Sequence, residues 1–268
     1  MSFLDQMIDL QNATPGNTAI LKLSYNATYD KITFILGGGL TKAMIHSITG
    51  KANGVTFFED DGSLLSLRDT YQGVFVDPNR ITLDFTEPNS RGGASAQYLA
   101  SLPRNLLNSL TFEIVIDATA PAAMTLKAEA IYRDPTQNPF ILRRKRFVIP
   151  LPVNGDNDYV LPSGQIGGLV KRVYIHHGGQ LANIELRTNG TPRKKGPVAS
   201  YEYEQKRNRL VPQGASNLTI VDFLEDGNLM GMLNTTTVTE TLLRLTTSAG
   251  GGQATVYMDY VADLRSLS

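Results

Sequence analysis

The second half of the sequence repeats the first half, and this internal repeat restricts the possible folds more than any other feature. Three pairs of segments match in the same order, with offsets of 141, 138 and 130 residues: Ile32–Leu40 with Val173–Leu181, Ile81–Glu87 with Thr219–Glu225, and Met124–Ile131 with Ala254–Val261. Asp84-Phe85 falls on Asp222-Phe223. The preserved order predicts two copies of one strand plan whose loops differ in length.

The pattern within each copy is that of short strands. Apolar segments rich in Val, Ile, Thr, Tyr and Phe are separated by Gly, Pro, Asn or Asp, which is typical of strands and turns. Phe112, Ile114 and Ile116 alternate with Glu113, as a half-buried antiparallel strand requires. Helical patterns are few and short: Ser63–Tyr71, Ala94–Leu102, Ser200–Asn208 and Asn228–Leu233.

We therefore predict an all-β protein of two tandem eight-stranded jelly rolls with a few short connecting helices. The segment Asp134–Pro139 contains two prolines and interrupts any regular strand. It divides the chain into residues 1–139, the first jelly roll with an N-terminal arm, and residues 140–268, the second jelly roll. The arm has near-helical apolar spacing, which predicts either a short amphipathic helix or a terminus docked on a neighbour: Phe3, Leu4, Met7, Ile8 and Leu10.

Composition excludes several function classes. The chain has no cysteine, so disulfides, zinc thiolate sites and thiol nucleophiles are excluded. Lys plus Arg and Asp plus Glu each number 25, so the formal net charge is zero and direct nucleic-acid binding is not expected. The sequence contains no apolar run of signal-peptide or membrane-span length, and neither segment is expected.

Catalytic patterns are also missing, so we predict a protein that is not an enzyme, with no catalytic residues and no cofactor-binding residues. A metal site in tandem jelly rolls needs several convergent histidines, and the chain has three. His176 and His177 are adjacent in a strand pattern and should point to opposite faces, while His46 stands alone. Gly37–Gly39 lacks the Gly-Lys-Ser/Thr ending of a phosphate-binding loop, and no Gly-x-Ser-x-Gly is present.

Two charged segments remain. Asp156 and Asp158, close to Asn154, are the best calcium candidates, although a solvated turn is the more common role for such residues. Calcium is the only cofactor that the pattern suggests, in a structural role. The basic run Arg143–Arg146 is bounded by apolar residues and predicts an exposed or subunit-facing strand at the start of the second copy.

Several stretches resemble the major capsid protein of corticoviruses: Gly16–Leu23, Ser216–Asn228 and Ala254–Tyr260. The order and spacing are similar from about residue 14 to the C-terminus, and Val221–Glu225 is the most specific block. The resemblance implies a double jelly-roll major capsid protein located in the shell of a tailless icosahedral virion. It also implies a membrane beneath the shell, trimers that form pseudo-hexagonal capsomers, and no catalytic residues.

The repeat itself agrees with such an assembly, because two similar copies per chain turn a three-fold assembly into a six-sided block. We therefore expect a homotrimer whose partners are neighbouring capsomers, minor capsid proteins and an internal viral membrane. The alternative is a carbohydrate-binding or receptor-binding jelly-roll module. The absence of Trp disfavours this alternative, since such modules usually display aromatic platforms. A tandem jelly-roll metalloenzyme ranks third, because histidines are few.

Overall fold

The computed structural model describes residues 2–6, 10–161 and 168–267. Its first half contains nine strands and two helices: β1 Ser2–Gln6, β2 Thr18–Lys22, β3 Thr28–Gly37, β4 Ile45–Ala52, β5 Val55–Asp60, α1 Gly62–Tyr71, β6 Arg80–Asp84, α2 Gly93–Gln97, β7 Leu102–Pro103, β8 Leu110–Ile116 and β9 Thr125–Arg133.

The second half repeats this plan with one helix: β10 Phe140–Pro150, β11 Gly155–Leu161, β12 Leu169–His176, β13 Leu181–Thr188, β14 Thr191–Pro197, α3 Val198–Arg207, β15 Leu218–Asp222, β16 Leu233–Asn234, β17 Thr241–Thr247 and β18 Gln253–Asp263. No helix among the described residues is long and apolar enough to cross a membrane.

The two halves have the same sheet topology. The first half has sheets ordered β1-β9-β3-β6 and β2-β8-β4-β5, and the second half has sheets ordered β10-β18-β12-β15 and β11-β17-β13-β14. The two-residue strands β7 and β16 pair with the central strands β3 and β12. All pairings between named strands that the structure specifies are antiparallel. The prediction of two eight-stranded jelly rolls is confirmed.

The repeated sequence blocks occupy equivalent strands. The first pair of blocks lies on β3 and β12, the second on β6 and β15, and the third on β9 and β18. These three strands are neighbours in one sheet of each half. The repeat was therefore visible in the sequence because it follows one continuous layer of the fold.

Contacts divide the chain into two compact units. Unit 1 comprises residues 1–70, 74–144 and 263–268, and unit 2 comprises residues 71–73 and 145–262. The division falls inside β10, and the sequence-based boundary between residues 139 and 140 stays a prediction.

The core of each unit follows the predicted alternation. In β8, Leu110, Phe112, Ile114 and Ile116 are buried while Val115 is exposed. Unit 1 is filled by an aromatic cluster whose neighbouring ring centroids lie 6.0 to 6.4 Å apart: Phe57, Phe58, Phe85 and Phe112. Unit 2 has an aliphatic core in which β12, β13, β17 and β18 supply most of the buried side chains.

Two helix predictions were wrong in extent or type, and the helical alternative for the N-terminal arm was also wrong. In the described part of the arm, β1 pairs with β9 as an extended edge strand, which agrees with the alternative of a docked terminus; Met7 and Ile8 lie outside the described residues. The second predicted helix is shorter, covering only Gly93–Gln97. The fourth is a single 3₁₀ turn, Leu229–Gly231, followed by β16. Pairing with neighbouring strands outweighed the local helical spacing in β1 and β16.

Matching Asn-Gly turns close one hairpin in each unit. Asn53 and Gly54 join β4 to β5 with φ of 51° and 81°, and Asn189 and Gly190 join β13 to β14 with φ of 48° and 76°. Positive φ at both central residues is the signature of a type I′ turn, whose twist matches that of paired strands. The Asn189 side chain also accepts hydrogen bonds from the backbone N–H groups of residues 239 and 240, both at 3.0 Å.

We expect Gly190→Ala to destabilise unit 2 by about 1 kcal/mol, because a side chain at positive φ strains the backbone. No atom lies within 4 Å of the added methyl position, so the cost would come from the backbone alone. The measurement is the free energy of unfolding in urea. Gly196→Ala on the following strand, β14, is the matched control, because its φ lies outside the left-handed region and its nearest neighbour is at 4.0 Å. Equal losses in both variants would contradict the turn assignment.

Candidate functional site

The calcium candidates lie on β11 and contact an arginine. The Arg244 guanidinium donates from Nε and Nη2 to the two carboxylate oxygens of Asp158, at 2.6 and 2.7 Å. Asp156 accepts a hydrogen bond from the Thr246 hydroxyl at 2.6 Å and lies 3.4 Å from Arg244. Arg244 holds the pKa of Asp158 below its usual range. Both carboxylates thus share a cation that the chain itself provides.

These residues belong to a row of alternating charges across one sheet. In register, Asp158 lies opposite Arg244, Arg244 opposite Glu185, and Glu185 opposite Lys195. Opposite charges on directly paired positions stabilise a sheet modestly. Asp156, Arg244 and Lys195 also line a shallow groove of about 270 Å³ that has no aromatic side chain in its lining.

The described residues contain no group of three or more His, Asp or Glu side chains that could hold a metal ion. The calcium hypothesis for Asp156 and Asp158 stays a prediction. In the structure both carboxylates contact the Arg244 guanidinium.

Each histidine has a partner in the fold. His46 Nε2 lies 3.0 Å from an Asp117 carboxylate oxygen. His177 Nε2 lies 3.0 Å from the Thr219 hydroxyl, its Nδ1 accepts from the Gly179 N–H at 3.0 Å, and burial lowers its pKa. His176 contacts the Tyr257 ring edge to face, with centroids 5.8 Å apart. These contacts give the histidines a structural role.

The prediction that the basic run is exposed or subunit-facing was wrong for Arg144. This residue is buried, and its guanidinium contacts the Asp60 carboxylate together with that of Arg68. It also lies over the Phe58 ring, 4.8 Å from the centroid. Arg146 on the same strand is exposed, as expected. Burial of one charge in the run requires a carboxylate 84 residues away in the chain, which local sequence does not reveal.

The repeated aspartates hold the same position in both units. Asp84 ends β6 and lies 2.6 Å from the Lys31 ammonium of β3. Asp222 ends β15 and accepts from Arg172 Nε of β12 at 2.9 Å. The second carboxylate oxygen of each accepts a backbone N–H two residues on, from Thr86 at 2.9 Å and Leu224 at 2.7 Å.

A bulge accompanies each of these ion pairs. The register between β3 and β9 shifts at Asp30, and that between β12 and β18 shifts at Lys171, 141 residues later. The carbonyl of each bulged residue accepts a 3.0 Å hydrogen bond from the phenylalanine after the repeated aspartate, Phe85 or Phe223. The Asp-Phe repeat therefore marks a duplicated joint between the central strand and the edge strand. Sequence reasoning found the repeat but not this role.

The two joints differ in burial. Asp222 and Arg172 have side chains 1% and 5% exposed, whereas Asp84 and Lys31 are 20% and 34% exposed. Asp222 also accepts a 2.9 Å hydrogen bond from the hydroxyl of Tyr71, which is fully buried. Burial and the adjacent Asp222 raise the pKa of Tyr71 above its usual range, so the hydroxyl remains a donor. No sequence motif indicated this contact between residues 151 positions apart.

Comparison with known protein families matched both halves of the chain. Residues 4–133 match the family described as viral coat protein P2 N-terminal domain, and residues 141–264 match the viral coat protein P2 C-terminal domain. No curated protein sequence gave a significant match.

Comparison with solved structures gave matches along almost the whole chain. The major capsid protein P2 from bacteriophage PM2 is 19% identical, with a TM-score of 0.89 and 98% of each chain covered. A chain from the atomic structure of Sulfolobus turreted icosahedral virus is 12% identical, with a TM-score of 0.73 over 98% of this chain and 91% of that one. PBCV-1 VP54 is 10% identical, with a TM-score of 0.61 over 97% and 93%. At these identities the likeness shows a shared fold.

The two aspartate joints should contribute unequally to stability. We expect Asp222→Asn to lower the free energy of unfolding by about 3 kcal/mol, because it removes a buried negative charge that accepts from Arg172 Nε and from the Tyr71 hydroxyl. Asp84→Asn should cost about 1 kcal/mol or less, because its pair with Lys31 is partly solvated. Urea unfolding of both variants would measure the difference. A larger loss for Asp84→Asn would contradict the assignment.

The half-buried Asp69 on α1 should make stability depend on pH. Burial raises its pKa to about 6, and the Asp84 carboxylate adds to the rise. Because this folded-state pKa exceeds the unfolded one, the stability associated with Asp69 is present below about pH 4 and is lost as pH rises through about 6. We expect Asp69→Asn to stabilise the protein by about 1 to 2 kcal/mol at pH 7.5 and to change little near pH 4. Thermal unfolding across this range tests the sign, and a loss of stability at pH 7.5 would contradict it.

Proposed function

The chain belongs to the viral coat protein P2 family and is a structural protein of a virus capsid; on this premise we propose that three copies form one capsomer of an icosahedral shell. The observation that carries the proposal is the duplicated sheet topology within one chain. A closed ring of three chains with two similar units each has six sides and tiles a surface through heterologous contacts. We propose that each capsomer contacts neighbouring capsomers, minor capsid proteins and an internal membrane.

The charges of the two halves favour contacts between copies. Residues 1–139 contain 14 acidic and 10 basic side chains, whereas residues 140–268 contain 11 acidic and 15 basic side chains. The halves thus have net charges of −4 and +4 although the chain is neutral. In a closed ring, each contact between chains joins the first half of one copy to the second half of the next. Opposite charges attract these surfaces and disfavour contact between like halves.

Other functions have less support. The family assignment supports a coat protein and gives no support to a carbohydrate-binding or receptor-binding module. The absence of enzymatic activity is part of the proposal, as is a shell that binds no nucleic acid directly. We propose no structural calcium at Asp156 and Asp158, since Arg244 already contacts both carboxylates.

We expect the purified chain to be a trimer, with three times the 29.3 kDa chain mass, in size-exclusion chromatography with light scattering. Negative-stain images should show hexagonal particles about 70 to 80 Å across, the scale set by six domains of this size. Interfaces above about 2,000 Å² are expected for an obligate assembly.

The trimer mass should be the same in calcium chloride and in a chelator, because the Arg244 guanidinium contacts the two β11 carboxylates that could otherwise bind calcium. A monomer under all these conditions would contradict the proposed assembly. A trimer that dissociates on chelation would instead restore the calcium hypothesis.

A further inference from the structure

Unit 2 contains a short segment from the end of α1. Tyr71, Gln72 and Gly73 group with unit 2, although the rest of α1 groups with unit 1. The Tyr71 hydroxyl donates to Asp222, and the Tyr71 carbonyl accepts from the backbone N–H of Val211 at 2.9 Å. The segment Tyr71–Gly73 thus completes the surface of unit 2 around the end of β15.

Helix α3 ends in the same way as α1. Each helix has ten residues, ending at Tyr71 and Arg207. Two residues later, Gly73 and Arg209 both adopt left-handed backbone, with φ of 71° and 64°.

The next N–H in each case donates to the carbonyl five residues back. Val74 donates to Asp69 at 2.9 Å, and Leu210 donates to Gln205 at 3.0 Å. These bonds, typical of a Schellman helix end, fix the equivalence residue by residue. Positions 71–75 of the first half correspond to positions 207–211 of the second, so Phe75 corresponds to Val211.

In unit 2, Asp222 and Val211 contact Tyr71. The equivalent residues of unit 1 are Asp84 and Phe75, respectively. Phe75 is 85% exposed, which is an unusually high exposure for a large apolar side chain. The segment that would complete this surface by analogy is Arg207–Arg209, and it belongs to unit 2.

We propose that Arg207–Arg209 of one copy docks on the surface of the next copy that contains Phe75 and Asp84. The inference rests on the proposed trimer and identifies the contact that closes it. The Arg207 side chain takes the place of Tyr71 and reaches Asp84, and the Arg207 carbonyl accepts from the N–H of Phe75.

The chemistry of the two segments is complementary. The Arg207 side chain is 64% exposed and contacts Glu204 at 3.3 Å and the Tyr203 ring at 6.0 Å from its centroid; Lys206 and Arg209 are exposed as well. Residues 59–77 contain five acidic and one basic side chain, whereas the equivalent residues 195–213 contain four basic and two acidic. Replacement of the tyrosine by arginine at the equivalent position converts a neutral donor into a charged one, which suits a carboxylate such as Asp84.

Disulfide cross-linking tests the contact directly, because the chain has no cysteine of its own. The equivalent residues Tyr71 and Val211 share a backbone hydrogen bond, so Phe75→Cys and Arg207→Cys should bring two Cα atoms to about 5 to 6 Å across the interface. The double variant should give covalently linked trimers on a non-reducing gel. Each single variant alone should give unlinked chains, and an equal mixture of the two should give linked dimers.

A control pair separates this contact from random collision. Phe75→Cys with Arg265→Cys places the second thiol at a side chain that is 92% exposed, outside the proposed contact. This pair should give no linked trimers. Linking as efficient as that of the test pair would overturn the inference.

Charge reversal supplies an independent measurement. We expect Arg207→Glu to raise the dissociation constant of the trimer about tenfold or more, because it places two carboxylates together. Arg207→Lys should keep the trimer, and Arg265→Glu is the matched control for net charge. Trimers that survive Arg207→Glu and do not cross-link would overturn this contact while leaving the proposed trimer intact. A monomeric parent protein would overturn both.

Discussion

One carboxylate in each unit joins the edge strand to the central strand, and the surrounding structure is organised around it. Asp222 accepts the Arg172 guanidinium, the N–H of Leu224 and the Tyr71 hydroxyl. A carboxylate that is 1% exposed must have such partners, since an unpaired buried charge is prohibitively costly. The bulge at Lys171 supplies the backbone carbonyl that receives the next residue, Phe223.

The same joint in unit 1 has diverged in a way that fits a coat protein. Asp84 keeps the cation, the backbone N–H and the bulge, but its side chain is more exposed and its cation is a lysine. A duplicated unit that is completed within its own chain can bury this carboxylate. In the contact that we propose between copies, the unit whose completing segment comes from another molecule leaves it accessible, together with Phe75. Under this proposal, divergence between the copies allows one chain to make both kinds of contact.

Charge in this chain has three distinct uses, which composition alone does not separate. Asp60, Arg68 and Arg144 form a buried group within unit 1. Asp158, Arg244, Glu185 and Lys195 form a cross-strand row on a sheet face. The third use belongs to the proposed contacts between copies: unit 1 has 15 acidic and 13 basic side chains and unit 2 has 10 acidic and 12 basic side chains. A net charge of zero therefore conceals net charges of −2 and +2 on the two units.

The sequence by itself determined the duplication, the strand-rich fold and the resemblance to capsid proteins, because these depend on apolar periodicity and on local turn residues repeated in order. Tertiary structure alone decided that Arg144 is buried and that Asp156 and Asp158 hold an arginine. It also decided that β1 is a strand and that Tyr71 completes unit 2. Each of these outcomes depends on partners 84 to 151 residues away, and the pairing of distant residues leaves no periodic pattern in a single sequence.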